Sequence, residues 1–183
     1  MPAGAQSDNK NLNFALFASD DMIEASVYFD LGTYLRKNLK GDGLDGRIIF
    51  NQGRSDSLVK EIRIKTRGVF RQQYCGFPPM EINFKKPVSA YEGDGSGFKK
   101  LKLVTHCEQG KGSDDYVLRE FLVYKLFSAL TDTSYRVRLL KVNYIDTGRG
   151  RKPVTQYAFC IEPVEILAKR LNCIRLKNAA LTQ

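Results

Sequence analysis

Between Ile23 and Phe29 apolar and polar side chains alternate, with Ile23, Ala25, Val27 and Phe29 on one side and Glu24, Ser26 and Tyr28 on the other. That period of two belongs to a strand with one buried face. The pattern then predicts a short helix over 31–39, stopped at Gly41, and a strand over 47–51. Strand character returns over 58–66, where Val59, Ile62 and Ile64 stand among charged neighbours. A loop containing Gly68 and Gly76 follows, then a strand over 80–85, so that the two strands form a hairpin with a long basic tip. After a flexible connection at 91–97 a third strand is predicted over 99–107.

Gly110-Lys111-Gly112 leads from this strand into a helix that runs to Leu130, with Ser113 as N-cap and Asp114 and Asp115 at the positive end of the dipole. Val117, Leu118, Phe121, Leu122 and Leu126 recur at helical spacing, which predicts a helix packed against a sheet. Strands over 135–145 and 155–161, joined by a turn at 148–152, and a helical segment over 164–171 complete the order. The expected fold class is α+β: an antiparallel sheet of about five strands with one long packed helix. The expected organisation is a strand-helix-strand extension over 1–54, a lobe over 55–163 and a trailing segment over 164–183.

The composition fits a globular chain that buries a real core, since 43% of its 183 residues are hydrophobic and 27% charged. No apolar run approaches the roughly 20 residues of a membrane-spanning helix. Lysine and arginine outnumber aspartate and glutamate by 29 to 20, so the surface attracts anions. The basic residues are spread along the chain rather than gathered in a block or a reading helix, which ranks nucleotide phosphate above nucleic acid as the partner.

Cys75, Cys107, Cys160 and Cys173 lack the paired spacing of a structural zinc site, and His106 has no second histidine to help it hold a metal or act in a catalytic triad. One disulfide can form, with Cys75 and Cys107 the best-suited pair, while buried free thiols are the commoner state of cysteines so scattered. The start, Met-Pro-Ala-Gly-Ala-Gln, has no signal-peptide pattern but resembles the small residues left at the far side of a signal-peptide cleavage site, so export is expected, with the cytoplasm as the alternative.

Other local patterns have ordinary readings. Gly41-Asp42-Gly43-Leu44-Asp45-Gly46 matches G-x-G-x-x-G in letters, but it follows a helix and carries two aspartates, which marks a helix stop and turn. Gly110 to Ser113 reads as a capping loop, Phe77-Pro78-Pro79 as a rigid lead-in to an edge strand, and His106 as a structural histidine.

Four stretches taken together carry a family resemblance: Thr66-Arg67-Gly68-Val69-Phe70-Arg71, Cys75-Gly76-Phe77-Pro78-Pro79-Met80-Glu81-Ile82-Asn83-Phe84, Lys100-Leu101-Lys102-Leu103-Val104-Thr105-His106-Cys107, and Tyr116-Val117-Leu118-Arg119-Glu120-Phe121. With Tyr157-Ala158-Phe159-Cys160-Ile161-Glu162 behind them, they resemble exported bacterial proteins related to the spore-coat CotH kinases, over roughly residues 55–172. The resemblance implies a kinase-like small lobe that covers ATP and magnesium. It implies Arg67, Gly68 and Arg71 at the phosphates, Lys102 held by Glu120, and Glu162 at the hinge to a following lobe. Strand alternation puts Lys100 and Lys102 on one face, so Lys100 competes for the lysine role.

The family's catalytic and metal-binding aspartates lie in that following lobe, and no aspartate follows Asp146 here, so the chain by itself is expected to transfer no phosphate. Phe77-Pro78-Pro79 also occupies the place where the family carries paired lysines. Two other functions compete with this one. The first is an exported binding module without nucleotide chemistry, and the second is a basic nucleic-acid-binding domain.

Overall fold

Strand β1 (Ile23–Phe29) is hydrogen-bonded on both sides, antiparallel to β2 (Leu44–Phe50) through pairs such as Val27↔Ile48, and parallel to β6 (Val137–Asp146) through Ile23↔Leu140 to Phe29↔Asp146. From β2 the sheet continues antiparallel through β3 (Leu58–Thr66), β4 (Met80–Ser89), β5 (Gly97–Val104) and β7 (Val154–Ile161), which pairs with β6 and closes the ring. The result is a closed seven-stranded barrel in the order β1-β2-β3-β4-β5-β7-β6. The computed structural model describes residues 14–36, 43–93, 95, 97–108 and 113–176.

This architecture corrects the expected one. In place of a kinase-like α+β lobe with an open antiparallel sheet of about five strands there is a mixed sheet closed on itself. The physical reason is the parallel β1–β6 pairing. It satisfies the free edges of both strands at once, and a closed sheet has no unpaired backbone edge. The two strands expected in an extension, β1 and β2, are staves of the barrel.

The strand alternation still dictates which side chains go inside. Ala25, Val27, Phe29, Ile48, Phe50, Ile62, Ile64, Ile82, Leu101, Leu103, Leu140, Val142 and Ala158 are all buried in one cluster that fills the interior. One end is closed by aromatic side chains. Tyr34 on α1 (Leu31–Leu35) packs edge-on to Phe29 at 5.4 Å and beside Phe77 at 5.7 Å, and its hydroxyl donates to the Pro78 carbonyl at 2.7 Å. Phe77 in turn lies 4.3 Å from the His106 ring and 4.8 Å from Tyr144.

Outside the barrel, α3 (Ser113–Leu130) lies over β7 and β6. It packs there through Val117, Phe121 and Tyr124 onto Phe159, Ile161, Val137 and Val104. Of the residues expected to pack, Leu122 and Leu126 are exposed instead. The helix therefore uses one narrow stripe against the sheet. The loop at 109–112 and the helix end at 37–39 lie outside the described residues. Two further helices complete the order, α2 (Val69–Tyr74) and α4 (Val164–Arg170). Among the described residues no helix is long and apolar enough to cross a membrane.

Candidate anion-binding site

The residues expected to hold phosphate fall at the end of the barrel where β3 finishes and β4 begins. Arg67 follows the last residue of β3, and its backbone N–H donates to the Pro79 carbonyl at 3.0 Å. Gly68 then takes φ +78°, a left-handed conformation that glycine adopts freely and that turns the chain into α2. A helix at this point was not expected from the sequence, which reads here as loop. A disulfide between Cys75 and Cys107, together with the Phe77 N–H donating to the Cys107 carbonyl at 3.0 Å, ties the end of α2 to the segment after β5. Of the two cysteine readings, the structure takes the disulfide for this pair, while Cys160 is a buried free thiol and Cys173 an exposed one.

With α2 so anchored, Arg71 reaches two acceptors. Its Nη2 donates to the Thr105 carbonyl at 3.4 Å and its Nη1 lies 3.8 Å from the Glu120 carboxylate on α3. Arg67 is half-buried beside the same helix, among Tyr124, Arg71, Glu120 and Glu81. Burial is the main cause that holds its guanidinium below the ordinary arginine value, and its Nη1 is buried with no hydrogen-bond partner among the described residues. A buried guanidinium N–H without an acceptor is destabilised until an anion or carbonyl reaches it.

Lys102 stands one row away on the outer face of β5, between Glu81 of β4 and Ile161 of β7 in the sheet register, and is exposed. Glu120's ion pair is with Arg71, so the expected Lys102–Glu120 pair is replaced by an arginine–glutamate pair. Lys100 shares the outer face with Lys102 and pairs with Asn83 in register.

Glu162 is apart from this cluster and fully engaged. One carboxylate oxygen accepts from the Tyr91 hydroxyl at 2.6 Å and Arg170 Nε at 3.2 Å; the other accepts from the Arg136 N–H at 3.1 Å and Arg170 Nη2 at 3.0 Å. This buried network fastens α4 to the barrel. The structure thus brings Arg67, Gly68, Arg71 and Glu120 together, leaves Lys102 at the margin, and gives Glu162 to packing.

Of the literal glycine motif, Gly41 and Asp42 lie outside the described residues, and Leu44, Asp45 and Gly46 belong to β2 rather than to the expected turn. A Cβ at Gly46, on β2, would stand 2.6 Å from the Tyr28 carbonyl oxygen, so only glycine lets β2 approach β1 there. A cleft of about 430 Å³ on the other edge of α3, lined by Asp20, Lys125, Ser128 and Arg136, excludes the arginine cluster and is bridged by Lys125 Nζ to Asp20 at 2.7 Å. Among the described residues no group of three or more His, Cys, Asp or Glu side chains is gathered for a metal. Compared with protein-family models, curated proteins and solved structures, the chain matches none.

Proposed function

We propose that this chain is a binding module for phosphate-bearing ligands, a nucleotide such as ATP among them, and that Arg67 and Arg71 make the contacts. The observation that carries the reading is the half-buried Arg67 guanidinium, whose Nη1 has no partner among the described residues, beside a second arginine on a short anchored helix. Guanidinium groups present paired donors that match phosphate oxygens and bind them by charge-assisted hydrogen bonds. The Arg71–Glu120 pair is no obstacle. Its two side chains are 35% and 43% exposed, and an exposed pair of this kind is worth about 0–1 kcal/mol, so a phosphate carrying more charge displaces it.

Lys102 adds positive potential at the margin. The donor set is cationic and suits phosphate oxygens; magnesium, in this reading, arrives on the nucleotide. The resemblance of Thr66 to Arg71 and of Tyr116 to Phe121 to the CotH family favours the same class of ligand. Export remains part of the reading. Its support is the Cys75–Cys107 disulfide, a bond that persists in oxidising compartments.

Calorimetric titration with ATP and magnesium, and separately with pyrophosphate, tests the proposal. Binding of both that falls by roughly tenfold in Arg67→Ala is expected, the loss of about one charge-assisted contact. Salt-sensitive binding of duplex DNA without binding of either small ligand would replace it with the nucleic-acid reading.

A further inference from the structure

Helix α3 is apolar on two sides. The stripe of Val117, Phe121 and Tyr124 faces the barrel, yet Tyr116, Leu122, Val123, Leu126, Phe127 and Leu130 are between 54% and 76% exposed. A helix that already packs one apolar stripe on a sheet and presents a second one to solvent has a face that a partner can cover. The neighbouring α2, joined to α3 by the Arg71–Glu120 pair, exposes Val69, Phe70 and Tyr74 as well, at 81%, 70% and 67%. Large apolar side chains expose on the order of 150–200 Å² each when free, so these nine present roughly 1,000 Å². Typical monomers carry a largest patch of about 300–600 Å², and a stable interface covers about 800 Å² per partner.

We infer that two copies of this chain associate through α3, antiparallel and related by a two-fold axis at Val123. Charge permits a second copy here. The molecule as a whole is strongly basic, at +9, which opposes self-association over most of its surface. Across α2 and the outward side of α3, however, two basic residues, Arg71 and Arg119, stand against two acidic ones, Asp115 and Glu120, while Lys125 pairs with Asp20 and Asp114 accepts from the Tyr157 N–H of β7. The apolar face is the locally neutral part of a basic body.

The spacing is self-complementary too. Tyr116, Arg119, Val123, Phe127 and Leu130 succeed one another at intervals of three and four and so form a single stripe. A two-fold at Val123 sets Val123 against its own copy, Tyr116 against the second Leu130, and Arg119 against the second Phe127. In the last pair the guanidinium meets an aromatic face and needs no acidic partner.

Sedimentation equilibrium of the purified chain tests this. The mass is expected to rise with concentration to that of two chains, and added salt is expected to strengthen the association, because it screens the like charges while the contact itself is apolar. Val123→Glu is expected to abolish the dimer with an unchanged circular dichroism spectrum, whereas Val59→Glu, exposed on β3, is expected to leave it intact. In a Cys173→Ser background, Val123→Cys is expected to form a disulfide-linked dimer on air oxidation. A wild-type chain that stays monomeric at every concentration, or a dimer that survives Val123→Glu, overturns the proposal and leaves this face to a different protein, a membrane surface or a further segment of a longer chain.

Discussion

Arg71 lies 3.8 Å from Glu120, and this contact joins the short helix α2 to the long helix α3 over the end of the barrel. Glu120 sets the position of the Arg71 guanidinium and, in the proposed phosphate-binding role, competes with the ligand for it. In Glu120→Gln that competition is gone. Affinity for pyrophosphate is expected to rise by roughly fivefold, corresponding to about 1 kcal/mol for an exposed pair. A titration in which the variant binds more weakly than the wild type would show that Glu120 orients Arg71 more than it competes for it.

The position of Arg71 depends on a covalent anchor. Cys75 and Cys107 are separated by 32 residues in sequence, and closing a loop of that length constrains the unfolded chain by about 3.7 kcal/mol. The double variant Cys75→Ser, Cys107→Ser is expected to unfold at lower denaturant by that amount. It is also expected to lose pyrophosphate affinity, because α2 loses its tie to the segment after β5. Calorimetry and urea unfolding on the same preparation check both halves.

His106 gives the fold an acid sensitivity. It is fully buried against Phe77, neither ring nitrogen has a partner among the described residues, and burial pulls its pKa down from 6.5 to about 4. Above pH 6.5 the ring is neutral in both states and its stacking contributes in full. As the pH falls from 6.5 towards 4, the unfolded chain takes up a proton that the folded chain refuses, and up to about 3 kcal/mol of stability is lost. His106→Leu is expected to flatten the dependence of the melting temperature on pH across that window; a slope equal to that of the wild type would assign it to other groups. Asp146 acts in a separate, lower window. The backbone N–H groups of Arg151 and Gly148, with those of Leu31 and Arg149, hold its carboxyl down to about 2, so its contribution is present above the usual carboxylate value and lost as pH falls towards 2.

Legibility of the fold in the chain has a physical boundary. The bounds of β1, at Ile23–Phe29, come from alternation, because period two decides which residues face a core wherever that core is, whereas those of β3, at Leu58–Thr66, come from apolar residues among charged neighbours, of which Ile62 and Ile64 face inward and Val59 is exposed. Alternation does not name a strand's neighbour. The pairing of β1 with β6 joins Ile23 to Leu140, far apart in sequence and in parallel, and this pairing turns an open sheet into a barrel. The segment Val69–Tyr74 is unreadable as a helix for a different reason. Its branched and aromatic residues have weak helix propensity, and its anchor, the disulfide, is one of two states that scattered cysteines allow. Arg67 and Arg71 stand out by their type and their glycine, but Glu120's partner does not, since nothing local relates a residue of α2 to one on α3.

Glu162 gives a test of architecture apart from ligand binding. Its side chain is fully buried and shared among Tyr91, Arg136 and Arg170. Removing the charge in Glu162→Gln leaves Arg170 without its counter-ion and is expected to destabilise the fold by about 3 kcal/mol. Hydrogen exchange should show α4 losing protection first, because this network fastens it to the barrel. A loss below about 1 kcal/mol would mean that α4 is held by Ile166 and its other packing contacts.

The most direct measurement of the central claim is the arginine side-chain NMR spectrum, with Nε–H resonances tracked as pyrophosphate is added. The signals of Arg67 and Arg71 are expected to shift together and to saturate at one equivalent, while that of Arg170, already bound to Glu162, stays still. Resonances of Arg67 and Arg71 that do not move while pyrophosphate binds elsewhere would contradict the account.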